Sequence, residues 1–387
     1  MMVRPFVRSL ACALALLLLH GAALADQIRI GLANPLSGPL AASGEHNRRA
    51  AELAVRTLNA RGGVLGREVR LVAVDDACGT DAAAAAALTL VKTGVSLVVG
   101  HMCSHSSLVA AAVYEAAMIP MISPDSTHPR LTEEGRPNVF RLGGRDDAQG
   151  RVAGDWLAGE ARLARLALIH DGTTYGRGLA MEVLARLQEL GIPDVPLLAY
   201  PPGAADYDAV VDELRRTGVE LVYVGGYGPD AARLLRTARE RGYPLRMAGG
   251  DGLGAEEFRE VAGPAARGTV FTARPDVRDL ASAVPVLQAF RALGLGSGSS
   301  GIGAYAAVEV WAEAVSRAGS LEPAALVEIL HRARFATVLG PVAFDAKGDL
   351  QGATWQWFEW GDTGYRPHGR PVVGDAGRLL DRRPAKP

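Results

Sequence analysis

Short apolar runs rich in Val, Ile and Leu alternate along the chain with longer stretches in which Ala, Leu and Arg recur at helical spacing. The runs at 27–33, 68–74, 96–100 and 120–123 predict strands. Between them, Ala50, Ala51, Ala54 and Leu58 share one helical face that ends at Gly62-Gly63, and helices are predicted over 81–92 and 104–117. The pattern then restarts, with strands at 163–170, 195–200, 220–225 and 245–249 and helices at 176–190, 206–217 and 230–241. Strand–helix alternation of this kind means a parallel sheet covered on both faces. The two series therefore predict two α/β units, split near Gly143–Gly150. From about Pro275 the pattern turns helical (280–293, 302–318, 323–333), followed by short strands at 341–344 and 353–360. The Pro- and Arg-rich stretch 371–387 predicts a disordered tail.

The first residues belong to a different class. Arg4 and Arg8 precede an apolar run at 10–19, and Ala23-Leu24-Ala25 supplies a small-x-small exit. That order is a secretory signal peptide, with cleavage expected after Ala25. Its apolar run is too short for a membrane span, which needs about 20 residues. The mature chain then has two cysteines, Cys78 and Cys103, which in an oxidising compartment read as one disulfide. Lys plus Arg (41) nearly balances Asp plus Glu (42), which argues against a nucleic-acid or membrane-surface partner.

Catalytic and cofactor motifs are weak. Neither a Gly-x-Ser-x-Gly elbow nor a Walker lysine loop occurs. Gly296-Ser-Gly-Ser-Ser-Gly301 spells a dinucleotide fingerprint but follows a helix rather than a strand, so it reads as a connector. His101-x-Cys103-x-His105 offers metal-ligand chemistry; the competing reading is a disulfide at Cys103 with histidines capping the strand end. His170-Asp171 stands at a strand's carboxyl end, where a turn and helix-entry role is the simpler account. No cofactor or metal is expected, and no enzymatic activity.

What remains is a set of polar residues just past strand ends: Ser104, Asp125, Ser126, Thr127, Tyr175, Tyr227 and Asp251. Open α/β sheets bind ligands outside the carboxyl ends of their strands. Hydroxyls and helix N-termini suit a carboxylate, and an acid on the opposite unit suits an ammonium. Tyrosines add apolar contact with a polar tip. Together these residues suit a zwitterion.

These residues sit within a longer series of short matches: Leu36-Ser-Gly-Pro39, Leu58-Asn-Ala-Arg-Gly-Gly63, Asp75-Asp-Ala-Cys78, Gly100-His-Met-Cys-Ser104, Ile122-Ser-Pro124, His170-Asp171 with Tyr175-Gly176, Gly225-Gly-Tyr227, Gly340-Pro341 and Phe344-Asp-Ala-Lys-Gly-Asp349. In that order the chain resembles the branched-chain amino-acid (Leu/Ile/Val) binding proteins of ABC importers, of the type I periplasmic binding fold. The resemblance implies two Rossmann-like lobes joined by a three-segment hinge: lobe 1 over 26–146 and 275–352, lobe 2 over 147–274 and 353–370. It implies crossings near Gly143–Gly150, Ala273–Asp276 and Gly352, and the pair Cys78–Cys103. Ser104 and Thr127 would hold the ligand carboxylate, the Asp125 position would lend backbone, Asp251 would take the ammonium, and Tyr175 and Tyr227 would close from lobe 2. Two positions depart from the pattern. Ser43 stands where leucine binders carry an aromatic wall, and Asp125 stands where they carry a small residue. A carboxylate facing the cleft at 125 would favour a polar or cationic side chain; the alternative is that Asp125 caps the following turn.

The sequence thus reads as a monomeric periplasmic receptor that delivers an amino acid to importer permeases and their ATPases. The alternatives are another small ligand on the same fold (an amide, urea or aromatic acid), a sensor subunit, or a secreted hydrolase.

Overall fold

In a computed structural model, residues 27–295 and 301–369 are described. The expected signal peptide, the tail and most of the Gly296–Gly301 connector lie outside them.

The first sheet has five parallel strands: β1 (Ile28–Asn34), β2 (Val69–Asp75), β3 (Val98–Gly100), β4 (Met121–Ser123) and β5 (Val139–Arg141), in the order β2-β1-β3-β4-β5. Three of these strands, β3, β4 and β5, are buried along their whole length, which is why β3 and β4 read as apolar runs rather than as alternations. Helices α1 (Ala41–Ala60), α2 (Thr80–Thr93), α3 (Ser104–Ala116) and the short α4 (Arg130–Glu133) connect them.

Helix α5 (Asp146–Glu160) leads into the second sheet. Its parallel strands are β6 (Leu166–His170), β7 (Leu197–Ala199), β8 (Leu221–Gly225), β9 (Arg246–Gly249) and β10 (Val270–Ala273), with α6 (Thr174–Glu189), α7 (Asp208–Arg216), α8 (Gly228–Glu240) and α9 (Glu256–Ala262) between them. The chain then returns to the first core through α10 (Val284–Ala292), α11 (Ile302–Ala318), α12 (Pro323–Arg332) and an antiparallel hairpin of β11 (Arg334–Thr337) and β12 (Gly340–Ala343). Finally β13 (Gln356–Trp360) and β14 (Tyr365–Pro367) close the second sheet as antiparallel edge strands, giving the order β14-β13-β10-β9-β8-β6-β7.

Each sheet has its own apolar core. Trp311 and Phe290 pack with Ile30 and Leu32 on one side of the molecule, while Leu234, Phe258, Phe271 and Trp360 pack with Val222 and Val224 on the other. The chain passes between the two bodies three times. The first and third passages are tied together at Asp349, whose carboxylate accepts hydrogen bonds from the buried Arg141, from Thr132 at 2.9 Å and from Arg145 at 2.9 Å. Gly144 on the first passage lies flat against Trp355 on the third; a Cβ there would stand 2.5 Å from the indole ring.

Several expectations need correction. The break read at Gly143–Gly150 is shorter, because Asp146 already opens α5 and Gly150 is inside that helix. Gly150 and Gly154 serve close approach rather than a turn: a Cβ at Gly150 would lie 2.5 Å from Glu182 Cβ on α6, and one at Gly154 2.6 Å from Arg186 Cβ. The helix read from 280 begins at Val284, with Pro285 in its first turn. β5, β10, β11 and β14 were not anticipated. They have three or four residues each, too short to show a period, and their register is set by neighbours.

The α5–α6 contact gives a direct test. Gly150→Ala gains about 1 kcal/mol of helix propensity but forces two helices apart, which typically costs about 1–3 kcal/mol. Urea unfolding is expected to show a net loss of stability; a gain would mean that the helices yield freely.

Candidate functional site

The first sheet reverses its winding between β1 and β3, and the second between β6 and β8, so both open crevices at the carboxyl ends of these strands. The two crevices face each other across one cavity of about 370 Å³. Ser43, Ser104, Asp125, Thr127, Tyr175, Tyr227 and Asp251, all singled out from the sequence, line it.

On the first lobe, β3 ends at Gly100, and four residues later Ser104 begins α3. That short loop is fixed from several sides. The Cys78–Cys103 disulfide spans 5.6 Å between Cα atoms. His101 is buried, its Nδ1 lying 2.6 Å from Asp76 Oδ2 and its Nε2 3.0 Å from the Tyr114 hydroxyl. The expectation that His101 caps the strand end is therefore corrected: a buried imidazole finds an acid and a phenol as partners instead. Its backbone carbonyl accepts from Ser107 Oγ at 3.0 Å and Ser123 Oγ at 2.8 Å. Ser126 Oγ donates to Met102 O at 3.0 Å, joining the loop after β4 to the loop after β3. Ser104 and Thr127 thus stand on a braced, buried platform, each 2 % exposed, beside the N-terminus of a thirteen-residue helix.

Asp125 does not cap the following turn. The Ser126 N–H is taken by Ser123 Oγ at 3.0 Å, and Asp125 Oδ2 accepts from Asn47 Nδ2 at 2.6 Å. The side chain is open to the cleft. Enclosure by both lobes, with the charge of Asp251 adding to it, pushes its pKa up to about 6 against the pull of Asn47.

On the second lobe, Thr173 caps α6 by accepting from the Gly176 N–H at 3.0 Å. This sets Tyr175, whose hydroxyl donates to Asp251 Oδ1 at 2.7 Å and accepts from the Gly252 N–H at 3.0 Å. Gln149 Nε2 donates to the same Asp251 oxygen at 3.2 Å. Burial raises the Asp251 pKa, while the Tyr175 and Gln149 hydrogen bonds draw it back. The Tyr227 ring lies 5.1 Å from that of Tyr175, and its N–H donates to Asp171 at 3.2 Å. His170 Nδ1 accepts from the Gly172 N–H at 3.0 Å, a turn contact.

The lobes touch. Ser43 Oγ on α1 donates to Glu257 Oε1 on α9 at 2.6 Å, and α3 packs against α6. The sequence reading missed four side chains. Glu257, Asn47 and Arg274 line the cavity, and Gln149 supports it from behind. Their positions follow from packing between elements far apart in the chain. Only Asn47, one helical turn beyond Ser43, had a spacing that could have pointed to it.

Two hinged α/β bodies that pool polar side chains in one enclosed crevice define a two-lobed ligand trap. The chain belongs to the family described as Periplasmic binding protein, whose model matches residues 27–364. It is 39 % identical over 345 residues to an amino acid binding protein of Pseudomonas aeruginosa, covering 88 % of this chain and 92 % of that one. It is 36 % identical over 337 residues to the leucine-, isoleucine-, valine-, threonine- and alanine-binding protein of the same organism, covering 87 % and 90 %. Among solved structures it is similar to a branched-chain amino acid transporter substrate-binding protein from Streptococcus pneumoniae in complex with isoleucine, with a TM-score of 0.78, 26 % identity, and coverage of 88 % and 99 %.

Asp125 makes stability depend on pH. A carboxyl group whose pKa is raised in the folded state stabilises the fold at low pH and loses that contribution as pH rises through about 6. Asp125→Asn is therefore expected to melt above the parent at pH 8, with the difference vanishing near pH 4. The gain should stay below about 1 kcal/mol, because the group is solvent-accessible. Thermal melts of the ligand-free proteins check this; an equal difference at both pH values would contradict it.

Proposed function

We propose that this chain captures a free α-amino acid between its lobes in the periplasm and presents it to the permease and ATPases of an ABC importer. The observation that carries this reading is the pairing of unlike chemistry across one cavity: hydroxyls and a helix N-terminus on the first lobe, a hydrogen-bonded carboxylate on the second. The names of the curated relatives and the isoleucine bound in the Streptococcus structure point the same way.

Ser104 and Thr127 hold the ligand carboxylate with the first N–H groups of α3, where the helix dipole favours negative charge. Asp251 takes the ammonium, its free orientation limited by Tyr175 and Gln149. Both ligand charges leave water and both need fixed partners, since an unmatched buried charge costs more than the contact gains. Tyr175 and Tyr227 cover the ligand from the second lobe. The ligand docks first on lobe 1 (26–146 with 275–352), and lobe 2 (147–274 with 353–370) closes on it by bending the three crossings. The closed form gains only from contacts made in that form. Micromolar affinity requires about −8 kcal/mol, which a paired zwitterion with buried apolar surface supplies. Export by the N-terminal signal, with cleavage after Ala25, fits this role, as does action as a monomer without catalysis.

Asp251→Asn keeps the size and the hydrogen-bond acceptor but removes the charge. Losing one partner of a buried charge pair costs about 2–5 kcal/mol, so titration calorimetry should show amino-acid affinity falling at least about 30-fold with the fold intact by circular dichroism. Unchanged affinity would remove Asp251 from the site.

A further inference from the structure

The cavity holds more negative charge than a zwitterion needs. Asp125, Asp251, Glu257 and Asp276 line it, and Arg274 is the one cationic side chain on its wall among the described residues. Asp276 is already paired with Arg278. The other three carboxylates are in no ion pair among the described residues, and neither is Arg274, which sits at the hinge side with Pro275 and Trp355. One carboxylate, Asp251, suffices for an α-ammonium. Asp125 and Glu257 remain.

Glu257 gives an independent indication. It is 8 % exposed and lines the cavity. Oε1 accepts from Ser43 Oγ across the lobes at 2.6 Å, but the buried Oε2 has no donor. Buried polar atoms are nearly always satisfied, and a half-satisfied carboxylate calls for a donor or a cation. Asp125 is open to the cleft, and its Oδ2 is held by Asn47, which is itself tied to Asn34 Oδ1 at 2.8 Å. Asn47 lies one turn along α1 from Ser43. The three lobe-1 side chains and Glu257 therefore form one polar corner.

Resting on the amino-acid reading above, we infer that Asp125 and Glu257, with Ser43 and Asn47, form an acidic subsite that reads a cationic ligand side chain, so that the preferred ligand is a basic α-amino acid with a terminal ammonium or guanidinium. Such a side chain supplies several N–H donors at once, enough for both Glu257 Oε2 and the free oxygen of Asp125. It also offsets the repulsion between acids on opposite walls, so it adds to closure as well as to contact. An aliphatic side chain would do neither, and it would leave the carboxylates to be desolvated without compensation. Serine at 43 fits this corner, because a large apolar residue there would displace the hydroxyl that holds Glu257.

Titration calorimetry at pH 7.5 on the mature protein, freed of carried-over ligand by unfolding and refolding, compares arginine, lysine, leucine and glutamate. Arginine or lysine should bind at least 10-fold more tightly than leucine. Asp125→Asn and Glu257→Gln, each checked for folding by circular dichroism, should each narrow that preference at least 10-fold. Leucine binding better than both basic amino acids would overturn the inference while leaving the amino-acid reading in place. Preference for glutamate would do the same and assign side-chain selection to Arg274. A preference for basic amino acids that survives both substitutions would also overturn it. If none of the four binds, or if Asp251→Asn leaves binding unchanged, the underlying reading fails as well.

Discussion

Placing acids on both walls of a closing crevice is the constraint around which the rest of this molecule is organised. Asp125 belongs to one lobe and Asp251 to the other, and the charge of one makes ionisation of the other harder. Like charges drawn together in a poorly hydrated space oppose closure unless a cation lies between them. On the proposed reading the ligand is part of the electrostatics of the closed form, and closure is selective because it depends on what the ligand brings.

Such a site needs walls that do not deform. The first is held by the disulfide, the Asp76–His101–Tyr114 chain and three serine hydroxyls that converge on the backbone of residues 101 and 102. The second is held by the Thr173 cap and by the bonds that Tyr175 and Gln149 make to Asp251. Between the walls run the three crossings, two of which share the Asp349 anchor and the Gly144–Trp355 contact. The bonds that place side chains on each lobe are thus separate in the chain from the segments that join the lobes. In the proposed closure this lets binding groups stay in register while the lobes move.

The two sheets were legible in the sequence because fully buried parallel strands leave continuous apolar runs such as Leu221–Gly225, and because helices that cover a sheet show a one-sided period. Ser104, Asp125, Thr127, Tyr175, Tyr227 and Asp251 were legible for a related reason: each follows a strand or opens a helix, and topology brings such positions together, whereas Ser43 was reached only through the resemblance. Short strands such as Val139–Arg141 and Val270–Ala273 were not, since three or four residues carry no period. The break near Gly143–Gly150 was drawn too long because a glycine such as Gly150 that admits a neighbouring helix looks the same in sequence as one in a connector. Glu257 and Arg274 were invisible for a third reason. Their roles depend on how a second-lobe helix and a hinge segment meet the first lobe, and nothing local encodes that.

Dipolar spectroscopy between spin labels at Ala42 and Glu260, exposed positions that flank the Ser43–Glu257 contact, measures the interlobe distance directly. If acids on opposite walls hold the empty lobes apart until a ligand ammonium lies between them, the distance distribution at pH 7.5 is long without ligand and collapses to a single short distance when a bound amino acid is added. A single short distance in the ligand-free protein, unchanged on addition of ligand, would contradict the account.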